Sequence, residues 1–249
     1  MANLILIRHG QSVWNASNRF TGWTDVDLTN KGQNEAREAG ILLKDNQFKF
    51  DVVYTSYLKR SIDTSKICLS ALKNDEVKVI SEWRLNERHY GNLQGLNKSE
   101  TARKYGEEQV LIWRRSYDTP PPAMDKGDQR HPSKDPIYSG INPNLLPSSE
   151  SLKDTLKRVK PILNDNIIPE IKDGKNIMIV AHGNSLRAVI KILKNISDED
   201  IINLNIPTGV PLIIEIDEKF RVSEDYYLGN IKEIQSRAER MKAQGKFLN

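Results

Sequence analysis

The chain has 249 residues and a mass of 28.4 kDa, a length typical of one large domain or two small ones. Its 37 basic and 33 acidic residues are interspersed and sum to +4, so the charge indicates neither a nucleic-acid surface nor a polybasic membrane anchor. One cysteine, Cys68, excludes an internal disulfide and a cysteine-based zinc cluster. Mean hydropathy is −0.57, no leader pattern precedes the first apolar run, and we expect a cytoplasmic protein without a membrane partner.

Strand and helix patterns alternate over the first 80 residues. The continuous apolar run 4–7 is typical of a strand buried on both faces. Thr29 is a candidate N-cap for a helix that extends to Lys44. Further along, the pattern predicts a strand over 51–54, a helix over 58–72 and a strand over 77–80. This alternation predicts an α/β fold: a three-layer sandwich with a mostly parallel central sheet flanked by helices.

The second half begins with a helical stretch over 107–113 and a proline-rich insert over 118–148 that has little periodicity. A structureless segment of this length inside a compact domain is usually functional or mobile. The pattern then predicts a long helix over 152–171, a buried strand over 176–181, a helix over 185–193, a strand over 211–216, an edge strand or hairpin partner over 221–227, and a short helix with a mobile tail over 230–249. Since neither a repeat nor a linker occurs, we expect one domain over 1–249.

Two buried strands of the predicted sheet run directly into a His-Gly pair. These pairs are His9-Gly10 and His182-Gly183. In an open α/β sheet, ligands bind at the carboxyl ends of the strands, and glycine permits close approach of the backbone. A helix that begins soon after each pair would present free N–H groups to an anion. A lone strand-terminal histidine is as often a polar cap, but two of them, the first preceded by Arg8, indicate a functional site.

Arg8 beside His9 indicates phosphoryl chemistry. A guanidinium group matches phosphate oxygens with two parallel hydrogen bonds. Its positive charge opposes protonation of the neighbouring imidazole, and a neutral ring nitrogen is a competent nucleophile at phosphorus. His182 could then donate to the equatorial oxygens, where charge spreads in the transition state.

Two further side chains follow other strand ends. Arg60 falls at the start of a helix just beyond a strand and fits a phosphate clamp, although an isolated arginine is more often solvated. Glu87 lies in a loop after the third strand, where a carboxylate could carry the proton of an attacking or leaving hydroxyl. The alternative for Glu87 is an exposed ion pair with Arg84 or Arg88.

Several extended segments together resemble one known family. They are IRHGQS at 7–12, WN at 14–15, NRFTGWTDVDLT at 18–29, RLNERHYG at 84–91, LQGLNK at 93–98, IWRR at 112–115, PPP at 120–122, AHGNSLR at 181–187, LNIPTG at 204–209 and AQGK at 243–246. Arg-His-Gly alone marks the wider histidine phosphatase superfamily. The extended segments, which cover nearly the whole chain, resemble the 2,3-bisphosphoglycerate-dependent phosphoglycerate mutases.

This resemblance implies an isomerase of glycolysis and gluconeogenesis that interconverts 3- and 2-phosphoglycerate through a phosphohistidine. It implies 2,3-bisphosphoglycerate as phosphoryl primer and intermediate, no metal, and a homodimer or homotetramer. The implied catalytic residues are His9, which is phosphorylated, Arg8, Arg60 and His182 around the phosphoryl group, and Glu87 as general acid and base. The implied substrate-binding residues are Asn15 and Asn184 for phosphate oxygens, Thr21 and Gly22 for the carboxylate, and Tyr90, Lys98, Arg114 and Arg115 for the carboxylate and the non-reacting phosphate.

Four other interpretations of these residues stay open. A bisphosphoglycerate mutase or phosphatase would use the same residues and differ in the balance of activities. Another phosphatase of the superfamily would not need the clamp of Lys98 and Arg114-Arg115. The intact catalytic set argues against a silent phosphate-binding module, and chelator sensitivity would reveal a metal enzyme, for which two histidines and one glutamate suffice in number.

Three other candidate residues carry weaker expectations. We expect His131 to be solvated and Cys68 to be a core residue, while His89 either lines the site or serves the loop.

Overall fold

A single six-stranded sheet forms the centre of the computed structural model, which describes residues 2–219 and 221–243. The strands are β1 (Ala2–Arg8), β2 (Val52–Thr55), β3 (Lys78–Ser81), β4 (Ile177–Ala181), β5 (Pro211–Ile216) and β6 (Val222–Tyr227), in the spatial order β3-β2-β4-β1-β5-β6. The strands β3, β2, β4 and β1 are parallel to one another. Strand β5 is antiparallel to β1, and β6 is antiparallel to β5. The predicted α/β class with its mostly parallel sheet is confirmed, and β6 is both a hairpin partner and an edge.

In the described part of the chain, eight α-helices lie in the connections between strands, and a ninth follows the last strand. They are α1 (Val13–Ala16), α2 (Asn30–Asp45), α3 (Lys59–Leu72), α4 (Lys98–Tyr105), α5 (Glu107–Arg115), α6 (Leu152–Ile162), α7 (Ile168–Lys172), α8 (Gly183–Lys194) and α9 (Ile231–Ala243). A π-helical segment, Leu163–Ile167, joins α6 to α7, so the helix predicted over 152–171 is continuous but changes its pitch. None of the helices in the described ranges is long and apolar enough to cross a membrane.

The central strands are buried on both faces, as the unbroken run 4–7 predicts. Leu4 and Leu6 of β1 belong to a core cluster with residues of α6 and α8, and Ile5 and Ile7 belong to a second cluster with residues of α2 and α3. Successive side chains of a strand point to opposite faces of the sheet. A strand covered by helices on both faces therefore needs apolar residues at every position.

The proline-rich insert over 118–148 folds into short turns that pack against the rest of the molecule. Its three 3₁₀ turns, Pro132–Lys134, Pro136–Tyr138 and Pro143–Leu145, each begin with proline, whose missing N–H costs nothing at that position. Tyr138 of the insert is 3% exposed, packs with Trp23 and Trp83, and accepts a hydrogen bond from Asn86 at 2.9 Å. The insert is thus held against the segment that carries Glu87.

The C-terminal region is described as far as α9. Arg237 of this helix donates to the Thr208 carbonyl at 3.4 Å and pairs with Glu38 at 3.1 Å. The mobile tail predicted after this helix lies, at 244–249, outside the described residues.

Candidate active site

The two His-Gly pairs meet at the carboxyl edge of the sheet. In the parallel pairing of β1 with β4, Arg8 lies opposite Ala181, and the N–H of His9 donates to the Ala181 carbonyl at 2.9 Å. This register brings residues 173 positions apart into contact, and the ring centroids of His9 and His182 are 4.9 Å apart.

The His9 ring is buried and held by one backbone hydrogen bond. Its Nδ1 lies 2.7 Å from the Gly10 carbonyl oxygen, and because a carbonyl can only accept, Nδ1 carries the proton. Nε2 is then the nitrogen with the free lone pair in the neutral ring. Burial lowers the pKa of His9 well below its ordinary value, and the positive charges of Arg60 and Arg8 lower it further. The sequence predicted that Arg8 lowers this pKa, and the direction of the shift is confirmed, although burial contributes more than either of the two arginines.

His182 packs against the ring of His9. It is fully buried, and its Nε2 lies 2.8 Å from the Oγ of Ser56, which follows β2. Burial, and then the charge of Arg60, lowers the pKa of His182 well below its ordinary value. Both imidazoles are therefore neutral at physiological pH.

Arg60, in the first turn of α3, is 1% exposed, which contradicts the expectation for an isolated surface arginine. Its guanidinium donates to the carbonyls of Gly22 at 2.7 Å and Thr24 at 3.0 Å. Burial lowers its pKa to about 10, and Glu87 and Asp25 oppose that shift. Arg8, which precedes His9, donates to the Ile206 carbonyl at 3.1 Å.

Glu87 is buried at the same edge and does not form the exposed ion pair with Arg84 or Arg88. Arg84 instead pairs with Glu82 at 3.0 Å. The Oε1 of Glu87 accepts the backbone N–H groups of Arg88 at 2.8 Å and Asn184 at 3.1 Å. The second bond joins this carboxylate to the first turn of α8, the helix that follows His182.

These groups surround an open cavity of about 720 Å³, a volume that includes the solvent at its mouth. Its lining includes every predicted catalytic and binding residue except His182, namely Arg8, His9, Asn15, Thr21, Gly22, Arg60, Glu87, Tyr90, Lys98, Arg114, Arg115 and Asn184. No group of three or more metal-ligating side chains occurs within residues 2–219 and 221–243.

The cavity concentrates positive charge. Burial, and then Arg114 and Arg8, lowers the pKa of Lys98 well below its ordinary value, and burial followed by Arg115 lowers that of Arg114 to about 10. Cations forced together out of water are stabilised when an anion enters. The arrangement is therefore suited to a ligand with more than one negative group.

Arg187 is a site residue that the sequence did not predict, although it lies in the family-like segment 181–187. It lines the cavity, is 4% exposed, and donates to Asn184 Oδ1 at 2.9 Å and to the Ile201 carbonyl at 2.6 Å. Burial, with Arg88 and Arg115, lowers its pKa to about 9. Its spacing of three from Asn184 on one helix is the signal that could have identified it.

The remaining candidate residues do not line the cavity. His89 is fully buried in its loop, where its Nδ1 accepts the N–H of Gly91 at 3.0 Å. The expectation that His131 is solvated is wrong, because it is 2% exposed and lies between the hydroxyls of Ser133 and Ser148. Cys68 is a buried core residue, as expected.

Known proteins are similar to this chain along nearly its whole length. A model of the histidine phosphatase superfamily (branch 1) matches residues 4–227. A 2,3-bisphosphoglycerate-dependent phosphoglycerate mutase from Porphyromonas gingivalis is 54% identical over 246 residues, 99% of each chain. One of the same name from Borrelia garinii subsp. bavariensis is 54% identical over 247 residues, 99% of this chain and 100% of that one.

The chain therefore belongs to the histidine phosphatase superfamily and, within it, to the family of the 2,3-bisphosphoglycerate-dependent phosphoglycerate mutases. The resemblance predicted from the sequence is confirmed. Solved structures share the fold at much lower identity. A mycobacterial glucosyl-3-phosphoglycerate phosphatase superposes with a TM-score of 0.69 at 20% identity, over 91% of this chain and 97% of that one.

Proposed function

We propose that this enzyme interconverts 3-phosphoglycerate and 2-phosphoglycerate through a phosphorylated His9. The observation that carries the proposal is that one cavity joins a neutral imidazole, a buried carboxylate and two sets of cations. Arg8 and Arg60 flank the imidazole, while Lys98, Arg114 and Arg115 supply further positive charge. A phosphoglycerate carries a phosphate and a carboxylate, so it would engage both sets. The names of the 54% identical relatives support 2,3-bisphosphoglycerate as the primer.

In the proposed cycle, the free hydroxyl oxygen of the substrate attacks the phosphorus on Nε2 of His9. The new O–P bond forms as the N–P bond breaks, and the hydroxyl proton passes to Glu87. The product is 2,3-bisphosphoglycerate, which turns over within the cavity. Nε2 of His9 then attacks the other phosphorus, and Glu87 returns its proton to the leaving alkoxide. Arg8, Arg60 and His182 stabilise the charge on the transferring group, and Asn15, Thr21, Gly22, Tyr90 and Asn184 hold the substrate.

The tail at Gln244-Gly245-Lys246 and the insert over 118–148 would act as lids that exclude water during this cycle, since water would hydrolyse the phosphohistidine. A chain that ends before residue 230 should lose more mutase than hydrolytic activity. Equal loss of both activities would contradict the role of the tail as a lid.

The proposal also includes a cytoplasmic location, no metal requirement, and a homodimer or homotetramer. The family resemblance supports the assembly, and light scattering coupled to size-exclusion chromatography measures it. A monomer that is fully active would contradict that part.

The decisive experiment is a coupled assay of 3-phosphoglycerate conversion with and without 2,3-bisphosphoglycerate, each with a chelator present. We expect activity that depends on the bisphosphate, ignores the chelator and is inhibited by vanadate. Labelled 2,3-bisphosphoglycerate should give an acid-labile, alkali-stable label that His9→Ala abolishes and the matched control His131→Gln retains. A label that persists in His9→Ala would assign the nucleophile elsewhere.

A further inference from the structure

A buried ion pair lies against the segment that carries Glu87. Arg158 of α6 donates from Nε to Oε1 of Glu150 at 2.7 Å and from Nη2 to Oε2 at 2.8 Å. The two side chains are 6% and 4% exposed. Removal of either side chain would leave the charge of the other buried and unpaired, so each residue depends on its partner for stability.

The other donors of Arg158 point at the backbone that leads to Glu87. They reach the carbonyl oxygens of four residues, Trp83 at 3.4 Å, Arg84 at 2.6 Å, Asn86 at 3.3 Å and Glu87 at 3.3 Å. Glu150 binds the backbone on the C-terminal side of Glu87. Its Oε2 accepts the N–H of His89, and the backbone N–H of Glu150 donates to the His89 carbonyl, both at 2.9 Å. The peptide groups on both sides of Glu87 are therefore bound to this pair.

Trp23, in the loop between α1 and α2, also binds the backbone of Glu87. Its indole N–H donates to the Glu87 carbonyl at 2.5 Å, and Cζ of Arg158 lies 5.4 Å from the centre of its ring system. The carbonyl of Glu87 thus receives two donors, while its carboxylate binds the N–H of Asn184. Consequently α6, on one face of the sheet, is hydrogen-bonded to the backbone that carries the Glu87 carboxylate.

We propose that Arg158 and Glu150 are positioning residues for Glu87, holding its carboxylate where it exchanges a proton with the substrate hydroxyl. This proposal rests on the proposed function, since it assumes that Glu87 carries the proton. Neither residue lines the cavity. A lysine at 158 would keep the charge but could not span Glu150 and four carbonyls, because its ammonium is a single point donor.

The test compares two reactions that differ in their need for Glu87. Conversion of 3-phosphoglycerate requires proton transfer at an alcohol oxygen, whereas p-nitrophenyl phosphate releases nitrophenolate without a proton. In Arg158→Lys we expect kcat for the mutase reaction to fall about 10- to 100-fold with little change in KM, the scale of a catalytic group displaced by about 1 Å. The burst of nitrophenolate release should stay within about threefold of the unmodified enzyme, because that step needs no general acid.

Glu87→Gln serves as the reference and should show the same split between the two reactions. Lys157→Met, an exposed neighbour on α6, is the matched control and should leave both rates unchanged. The double variant Arg158→Met/Glu150→Met removes both buried charges together, keeps the interior neutral and should reproduce the split.

Two results would overturn the proposal. One is a folded Arg158→Lys and a folded double variant that lose both reactions equally, which indicates a merely structural pair. The other is a mutase rate that does not fall. Absence of mutase activity from the unmodified enzyme and from Lys157→Met would instead refute the proposed function, so the two failures are distinguishable.

Discussion

The chemistry of His9 depends on a few atoms around its ring. The Gly10 carbonyl determines which nitrogen is protonated, and burial together with Arg60 and Arg8 keeps the ring neutral. A histidine in water would be partly protonated near pH 6.5 and so partly inactive as a nucleophile. Here the nucleophilic form persists to lower pH.

We predict that His9 in the unphosphorylated enzyme is neutral at pH 6 and protonated on Nδ1. Nitrogen-15 chemical shifts of the imidazole measure both the charge and the tautomer. Arg60→Ala should raise the pKa of His9, because it removes a positive charge and admits water. A His9 signal that titrates near pH 6.5 in the unmodified enzyme would contradict the prediction.

Arg187 offers a second prediction for a single side chain. Its guanidinium orients the Asn184 amide and adds positive charge to the cavity. Arg187→Met should weaken binding of 3-phosphoglycerate to the unphosphorylated enzyme by about 10-fold or more, the range of one charge-assisted hydrogen bond. Calorimetry gives the dissociation constant, and Arg37→Met on the exposed face of α2 is the control. Equal affinities in the two variants would exclude Arg187 from ligand binding.

Among the elements, the loop after β1 and the start of α2 touch through their backbones. A Cβ atom added to Gly10 would lie 2.1 Å from the Gly32 carbonyl oxygen, and one added to Gly32 would lie 2.1 Å from that of Gln11. Thr29, the N-cap, accepts the N–H of Gly32 at 3.0 Å. Glycine at both positions allows α2 to support the loop that carries His9.

We predict that Gly32→Ala lowers the free energy of unfolding by about 1–3 kcal/mol, the cost of overpacking, although alanine favours a helix by about 1 kcal/mol. Gly140→Ala, at a position where an added Cβ meets nothing within 4 Å, should change it by less than about 0.5 kcal/mol. Urea unfolding measures both variants. Equal stabilities would show that the loop can move away from α2.

The sequence predicted helices with strong apolar spacing, and it did not predict helical segments whose formation depends on tertiary contacts. Thr29, Lys44 and the apolar face between them predicted α2 to within a residue. In contrast, α4 has little apolar periodicity, and its Ala102 packs into a local cluster with Phe20, Leu93 and Val110. The π-helical segment before Pro169 was not predicted either, because it depends on how the helix accommodates a residue without an N–H.

At the scale of the whole molecule, all four histidines are buried in the fold, and the pKa values of three of them lie furthest below the ordinary value. Burial lowers the pKa values of His9 and His182, and that of His89 to about 3. The unfolded chain binds protons at these positions below about pH 6.5 while the folded chain does not. Stability is therefore lost as the pH falls through the unfolded pKa.

We predict that the unfolding free energy falls as the pH drops below the unfolded pKa, by about 1.4 kcal/mol per pH unit for each of these groups that stays neutral in the folded state. His89→Gln should reduce the total slope by about 1.4 kcal/mol per pH unit, because one proton fewer is taken up on unfolding. The side-chain carbonyl of glutamine can still accept the N–H of Gly91, which keeps the loop bonded. Urea titrations between pH 7.5 and pH 5 measure both slopes. Identical slopes would mean that His89 is protonated in the folded state.

The sequence by itself determined the local features of this protein: strands buried on both faces, the His-Gly pairs that end two of them, and the residue types that phosphoryl transfer requires. These depend on periodicity and on chemistry within a few residues. Only the tertiary structure decided that Arg60 is buried, that His182 packs against His9, that Arg187 lines the cavity, and that Arg158 reaches the loop of Glu87. Those facts depend on strand register and helix packing, which join side chains tens of residues apart and leave no short-range pattern in the chain.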